Sequence, residues 1–269
     1  AARRLHDPHL RAHRGALMDL TLYGVSIWGA ALVFGRVGAM IMLLPGFGET
    51  TIPARVRLSF ALLIAMAIAP SLTGHIPAPA DTALGMAGQI VIEVLIGVML
   101  GVAARMLMSA LATAGQIMGL ETGLSFAQVA DPTAGGQSGQ LFAVFLSTMG
   151  IALIFATGLD RMFLQGVAGS YDVISLGARA PVGDAAQLGL NAASSSFRVG
   201  FQIAAPVVAA GLIFRVGLGV LARLIPSIQV FFVALPLQLM GGFAVIALGL
   251  SAGMLIWLDS LQQYATWLR

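Results

Sequence analysis

Cysteine and lysine are both absent from this chain of 269 residues, and only 9% of its residues carry charge. Without cysteine there is no disulfide, no thiolate metal site and no cysteine nucleophile. Without lysine every basic side chain is an arginine, so Gly46-Phe-Gly48 has neither the lysine nor the length of a phosphate-binding loop. Histidine is nearly as scarce: His6, His9 and His13 lie close to the start, and His75 is the last. Gly123-Leu-Ser125-Phe-Ala127 therefore makes no nucleophile elbow, since its fifth position is Ala and no histidine follows to serve as base. Glu93 and Glu121 are the carboxylates available for proton work, yet nothing in their spacing brings them together. The spacing of the three early histidines would suit a metal, but their polar surroundings read as a tail with chance histidines. No catalytic residue, no metal and no cofactor is expected.

A soluble domain carries about 25% charged residues. A chain that is 58% hydrophobic, with a mean hydropathy of +0.94, cannot clothe itself in charge. Membrane lipid or partner subunits must cover its surface. The net charge of +3 does not point to nucleic acid, because four of the 14 arginines fall within the first 14 residues and the others are spread singly, with no basic stripe.

Alternation of β-barrel type is absent, and in lipid that leaves α-helices. Spanning takes about 20 mostly apolar residues. Six regions approach this: Leu20 to Leu44, Leu58 to Leu72, Leu84 to Met108, Leu141 to Gly158, Phe197 to Leu224 and Ile228 to Leu258. The last is long for one span, and Pro236 with Gly241-Gly242 offers a bend. Gly97-x3-Gly101 and the glycines at 211, 217 and 219 permit close helix contact. Ser109 to Gln140 is studded with glycine, too polar for a lipid-facing helix and too apolar for a free loop. It reads as irregular backbone lining a cavity. Asp160 to Ala186 reads as a looser connection whose stripe Met162, Phe163 and Val167 suits an interfacial helix. Residues 1–17 are Arg-rich, precede Met18 and show no cleavable apolar core, so they read as a disordered or non-native extension.

Charges inside apolar helices are expensive unless paired. Arg36, Glu93, Arg105 and Arg215 are the buried ionic candidates. Glu93 shares a helical face with Gln89 and has Arg36 or Arg105 as possible partner. Arg215 and Arg223, eight residues apart on one face, could reach a turn, a headgroup or acids on another subunit. Arg55 and Arg57 in the first loop and Arg223 in the last turn favour those loops inside, with both termini of a chain begun at Met18 on the other side.

Three blocks carry a resemblance. They are Arg36 to Pro70 (RVGAMIMLLPGFGETTIPARVRLSFALLIAMAIAP), Ala114 to Gly139 (AGQIMGLETGLSFAQVADPTAGGQSG) and Ala204 to Gly242 (AAPVVAAGLIFRVGLGVLARLIPSIQVFFVALPLQLMGG). In this order they resemble the FliR family, export-gate proteins of the flagellar type III secretion apparatus. The resemblance runs from about Leu20 to Trp257. Two positions depart from it: Pro226-Ser227-Ile228-Gln229 stands where Pro-Gln-x-Asn is frequent, and Gln238 stands where a basic residue is common.

The resemblance implies an all-α, polytopic membrane protein of FliP-like and FliQ-like helical hairpins in a gate assembly of the inner membrane, within the flagellar basal body. Residues 18–186 would form a FliP-like region and residues 187–269 a FliQ-like hairpin. Partners would be FliP, FliQ, FlhB and FlhA, and the cargo unfolded flagellar subunits, driven by the proton-motive force with a soluble ATPase assisting. The family's pore plug maps onto Gly123, Leu124, Ser125, Phe126, Ala127, Gln128, Val129, Ala130, Asp131 and Pro132, centred on Phe126 to Asp131. Phe126, Val129, Met118 and Leu124 are the apolar groups that would seal it. The turn holding Arg223, Pro226, Ser227 and Gln229 would touch a partner, FlhB in the first place. The same mechanism in a virulence injectisome, with another cargo, is the neighbouring reading. A stand-alone transporter would show inverted repeats and a midplane polar site, and the sequence shows neither.

Overall fold

The computed structural model describes residues 21–22, 25–124, 140–178, 182–224 and 230–268. A two-residue antiparallel ladder, β1 (Thr21–Leu22) with β2 (Val25–Ser26), precedes the first helix. Otherwise the described residues are helical: α1 (Ile27–Leu43), α2 (Ala54–Ile68) running into a 3₁₀ segment (Ala69–His75), α3 (Ala83–Glu121), α4 (Leu141–Thr157), α5 (Leu159–Val173), α6 (Val182–Leu224) and α7 (Val230–Trp267). The protein is all-α and polytopic. Four helical stretches are long and apolar enough to cross a membrane: Ala54–His75, Ala83–Glu121, Gly183–Leu224 and Ala234–Trp267. The broken pair α4 and α5 makes a fifth when counted as one span.

Each helix end has a local cause. The Ser26 hydroxyl accepts from Gly29 N at 3.0 Å and caps α1. Pro45 then forces Leu44 into extended backbone, and α1 stops. Gly158, at φ 75, adopts the left-handed conformation that ends α4.

The helices fall into two compact units. The first comprises the described residues within Ala1–Val102, Phe163–Ala186 and Leu268–Arg269. In it α1 lies against the first half of α3 so closely that a Cβ on Gly97 would overlap the Arg36 carbonyl, and one on Gly101 would stand 2.7 Å from Leu43 Cβ. The Gly-x3-Gly pair thus serves a contact within the chain. Phe163, Val167 and Tyr171, spaced four apart on α5, are buried. The stripe read from sequence as interfacial is a core face, and the segment is a regular helix as far as Val173.

The second unit comprises Ala103–Met162 with Gln187–Trp267. There the second half of α3 meets three helices. Gly115 abuts the backbone of Ala143 on α4, and Gly200 on α6 approaches the Ala110 carbonyl. Trp257 on α7, fully buried, donates its indole N–H to the Leu107 carbonyl at 3.0 Å. Gly253 lies against Ile203, Gly249 against Pro206, and Gly211 and Gly242 both against the end of α3. Partners that descend on α7 as they ascend on α6 make these two helices antiparallel.

Three expectations need correction. Ser109 to Glu121 is not irregular but the second half of α3. Two of its hydroxyls bond to their own helix, Ser109 donating to Met106 O at 2.6 Å and Thr113 to Ser109 O at 3.0 Å, and the Ser109 hydroxyl also meets that of Ser196 on α6 at 3.1 Å. Helix α7 runs on to Trp267, past the expected Leu258, and stays helical through Pro236 and Gly241-Gly242, because a proline costs one donor while neighbouring helices hold the rest of an apolar ladder in place. Helix α6 begins at Val182, ahead of the expected Phe197, carrying a polar first stretch into the apolar one. Much of the outer surface is apolar: Leu212, Ile213, Val216 and Val220 on α6 and Leu248 on α7 are all exposed. Apolar area on this scale requires lipid or other subunits against it.

Candidate functional site

Two polar constellations interrupt the apolar helices. The first lies inside the first unit, around Arg36. Its guanidinium donates from Nε to Glu93 Oε2 at 2.7 Å, from Nη1 to the carbonyls of Ser170 at 3.2 Å and Ile174 at 2.6 Å, and from Nη2 to the carbonyl of Ser175 at 3.4 Å. The Ser170 and Ser175 carbonyls also accept from Ile174 N and Ala178 N, and the arginine adds donors at the negative end of α5. The other Glu93 oxygen accepts from Gly177 N at 2.7 Å. Tyr171 places its ring 4.4 Å beneath the guanidinium and donates its hydroxyl to Val33 O at 3.3 Å. Arg36 and Glu93 are wholly buried. Of the two partners open to Glu93, the structure selects Arg36. Arg105 is half-buried and joins no ion pair among the described residues.

The second constellation closes the far end of α3, in the second unit. Glu121 is the helix's last residue, and Gly123, at φ +79, terminates it in the left-handed conformation. The Glu121 carboxylate stands 2.8 Å from Arg215 Nη2 on α6, while its backbone carbonyl accepts from Gln238 Nε2 on α7 at 2.6 Å. Gly211 and Gly242 receive this end of the helix. A Cβ on Gly211 would sit 2.5 Å from Glu121 Oε2, and one on Gly242 2.5 Å from Thr122 Cγ2. Beside the carboxylate lies a cavity of about 110 Å³, lined by Glu121, Gly211, Phe214, Gln238, Gly241 and Gly242 among others. Arg215 is not a buried charge as the sequence reading has it: its side chain is 53% exposed, and its acid partner is within the same chain. A long arginine on the outer side of an apolar helix reaches inward with its tip while its stem stays at the surface.

Of the ten positions mapped to the plug, Gly123 is buried and Leu124 half-buried in the turn that follows α3, while Ser125 to Pro132 lie outside the described residues. Met118, expected at the seal, is a buried residue of α3. In the partner turn Arg223 is exposed in the last turn of α6, and Pro226, Ser227 and Gln229 lie outside the described residues. Sequence reasoning missed the Glu121–Arg215 pair because no periodicity links residues on different helices. It missed Tyr171 because that residue was assigned to a connection. The spacing Phe163, Val167, Tyr171 was the available signal.

The profile described as "Bacterial export proteins, family 1" matches residues 27–264. A Caulobacter vibrioides protein named "Flagellar biosynthetic protein FliR" is 42% identical over 237 residues, which is 88% of this chain and 94% of that protein. Proteins of the same name from Bacillus subtilis and Escherichia coli are 31% and 32% identical, over 82% and 79% of this chain and 85% and 80% of their own lengths.

Proposed function

We propose that this chain, which belongs to family 1 of the bacterial export proteins, is a subunit of the flagellar protein export apparatus and forms part of the channel through which unfolded flagellar subunits leave the cytoplasm. The observation that carries this reading is the 42% identity to a flagellar biosynthetic protein across nearly the full length of both chains. The long apolar helices support a membrane-embedded subunit, and the inner membrane, within the basal body, is the place such a channel would occupy. The exposed apolar faces of α6 and α7 suit burial against neighbouring subunits. FliP, FliQ, FlhB and FlhA are the partners we assign.

The antiparallel pair α6 and α7 supports the division into a FliP-like region, residues 18–186, and a FliQ-like hairpin, residues 187–269. Passage is the work asked of such a subunit, and chemistry is not. A channel for unfolded chain must accept every side chain in turn, so its seal is best made of deformable apolar groups and not of a selective ring of charge. Gly123 to Pro132, with Phe126 and Val129 as its bulk, is the segment we assign to that seal. Arg223 to Gln229 is the turn we assign to contact with FlhB.

Deleting the gene tests the function. The expected outcome is a non-motile cell without external filaments, restored by the gene supplied in trans. A deletion strain that still assembles filaments and swims would overturn the assignment.

A further inference from the structure

We propose that Glu121 and Arg215 are positioning residues, whose ion pair is a releasable latch that seats the C-terminal turn of α3 on α6 and α7 and opens when the apparatus exports. The inference rests on the export function proposed above. Its basis is the contrast between the two ion pairs found among the described residues. Glu93 has both oxygens bonded, to Arg36 and to Gly177 N, and Arg36 is itself held by three further carbonyl contacts. Neither side chain is open to solvent. That pair is closed from all sides.

Glu121 is held differently. Its Oε2 is buried and accepts no hydrogen bond, so the 2.8 Å approach of Arg215 is ionic contact without hydrogen-bond alignment. The arginine that provides it has a side chain 53% exposed, so its stem is not packed in place. The adjoining cavity of about 110 Å³, bounded by three glycines, gives the carboxylate room to swing away. Among the described residues the turn is also held by the Gln238 bond to the Glu121 carbonyl, the seat of Thr122 on Gly242 and the approach of Gly123 to Leu235 and Gln238.

The chain has no native cysteine, so a thiol lock can be introduced cleanly. A Cβ on Gly242 falls 3.1 Å from Thr122 Cβ, slightly under the roughly 3.5–4.5 Å of a disulfide, and the Thr122→Cys exchange removes the methyl that would collide. In the deletion strain carrying Thr122→Cys with Gly242→Cys, oxidation is expected to stop export and reduction to restore it, with the assembled complex unchanged in amount. Oxidised protein that exports at the wild-type rate overturns the latch.

A second arm uses Arg215, where exposure makes loss of folding a minor concern. Arg215→Ala, which removes the latch, is expected to raise export by up to about fivefold, the scale set by one half-exposed ion pair, with normal complex. Arg215→Lys is expected to bring export back to within about twofold of wild type, because an unaligned ionic contact asks only for a positive charge. Arg215→Ala that exports at the wild-type rate or below it overturns the proposal. Where the reduced double-cysteine protein is itself inactive, the Arg215 pair of variants decides. The wild-type gene in the same strain is the control: its failure to restore filaments would count against the export function, and not against the latch.

Discussion

Replacing Arg36 with Met is the most informative single perturbation of the fold. The change keeps an unbranched side chain in a fully packed position but withdraws every donor from a buried site. Glu93 loses its 2.7 Å partner and keeps only Gly177 N, the Ile174 carbonyl just past α5 loses its donor, and the Ser175 carbonyl keeps only Ala178 N. Removing one member of a buried pair costs about 3–5 kcal/mol, because the other charge stays behind unpaired. We expect about 4 kcal/mol, close to a thousandfold in the unfolding equilibrium at roughly 1.4 kcal/mol per tenfold. In a chain of this length that corresponds to a fall in Tm of about 8–16 °C. Glu93→Met should cost a similar amount. The double variant should cost less than either single change, about 2 kcal/mol, since no charge remains and only the α5 carbonyls and Gly177 N–H are deprived. Thermal unfolding of the purified protein in detergent, followed by its tryptophan emission, measures all three. Single variants within about 2 °C of wild type, or a double variant that falls as far as the two singles added, would refute the reading of a closed network.

Three further outcomes follow from particular residues. Trp257→Ala should cost about 3–5 kcal/mol through the cavity left among α3, α4 and α7, whereas Trp257→Phe should cost about 1–2 kcal/mol, chiefly from the deprived Leu107 carbonyl; the same unfolding measurement separates them. Deleting Phe126 to Asp131 should leave the amount of assembled complex unchanged and make the membrane leak small solutes, so a tight membrane with normal complex would dismiss that segment as a seal. Ser227→Cys should be labelled by a membrane-impermeant thiol reagent only from the cytoplasmic side, and labelling of intact cells from the periplasm would reverse the topology.

Apolar runs gave away the existence of the helices, because no other element closes its own backbone in lipid. Their ends were harder. The hydroxyls of Ser109 and Thr113 look polar in sequence and are spent on their own helix, so composition placed a boundary where α3 continues. At Pro236 the lost hydrogen bond does not interrupt the helix, because packing holds the remaining ladder. The choice of partner for Glu93 was open between Arg36 and Arg105, yet helix geometry could have narrowed it. Glu93 and Arg105 are 12 residues apart on one helix, a rise of about 18 Å that no pair of side chains spans. Glu121 and Arg215 offered no such arithmetic: they stand on helices far apart in the chain, and only the packed structure brings them to 2.8 Å.

The two ion pairs show how a chain with so little charge divides rigidity from motion. Arg36 and Glu93 are affordable in an apolar interior only because every donor and acceptor between them is satisfied, and full satisfaction makes the site hard to rearrange. Glu121 meets the opposite conditions, with an oxygen that has no hydrogen bond, a partner half in the open and free space alongside. A buried acceptor left in that state costs free energy in the resting structure. The cost lowers the barrier to leaving that arrangement, so the same deficiency that makes the end of α3 less stable makes it the easier of the two sites to move. A subunit that passes folded-out chain needs one part that holds and one that gives, and the polar groups of α1, α3 and α5 on one side, and of α3, α6 and α7 on the other, differ in that respect.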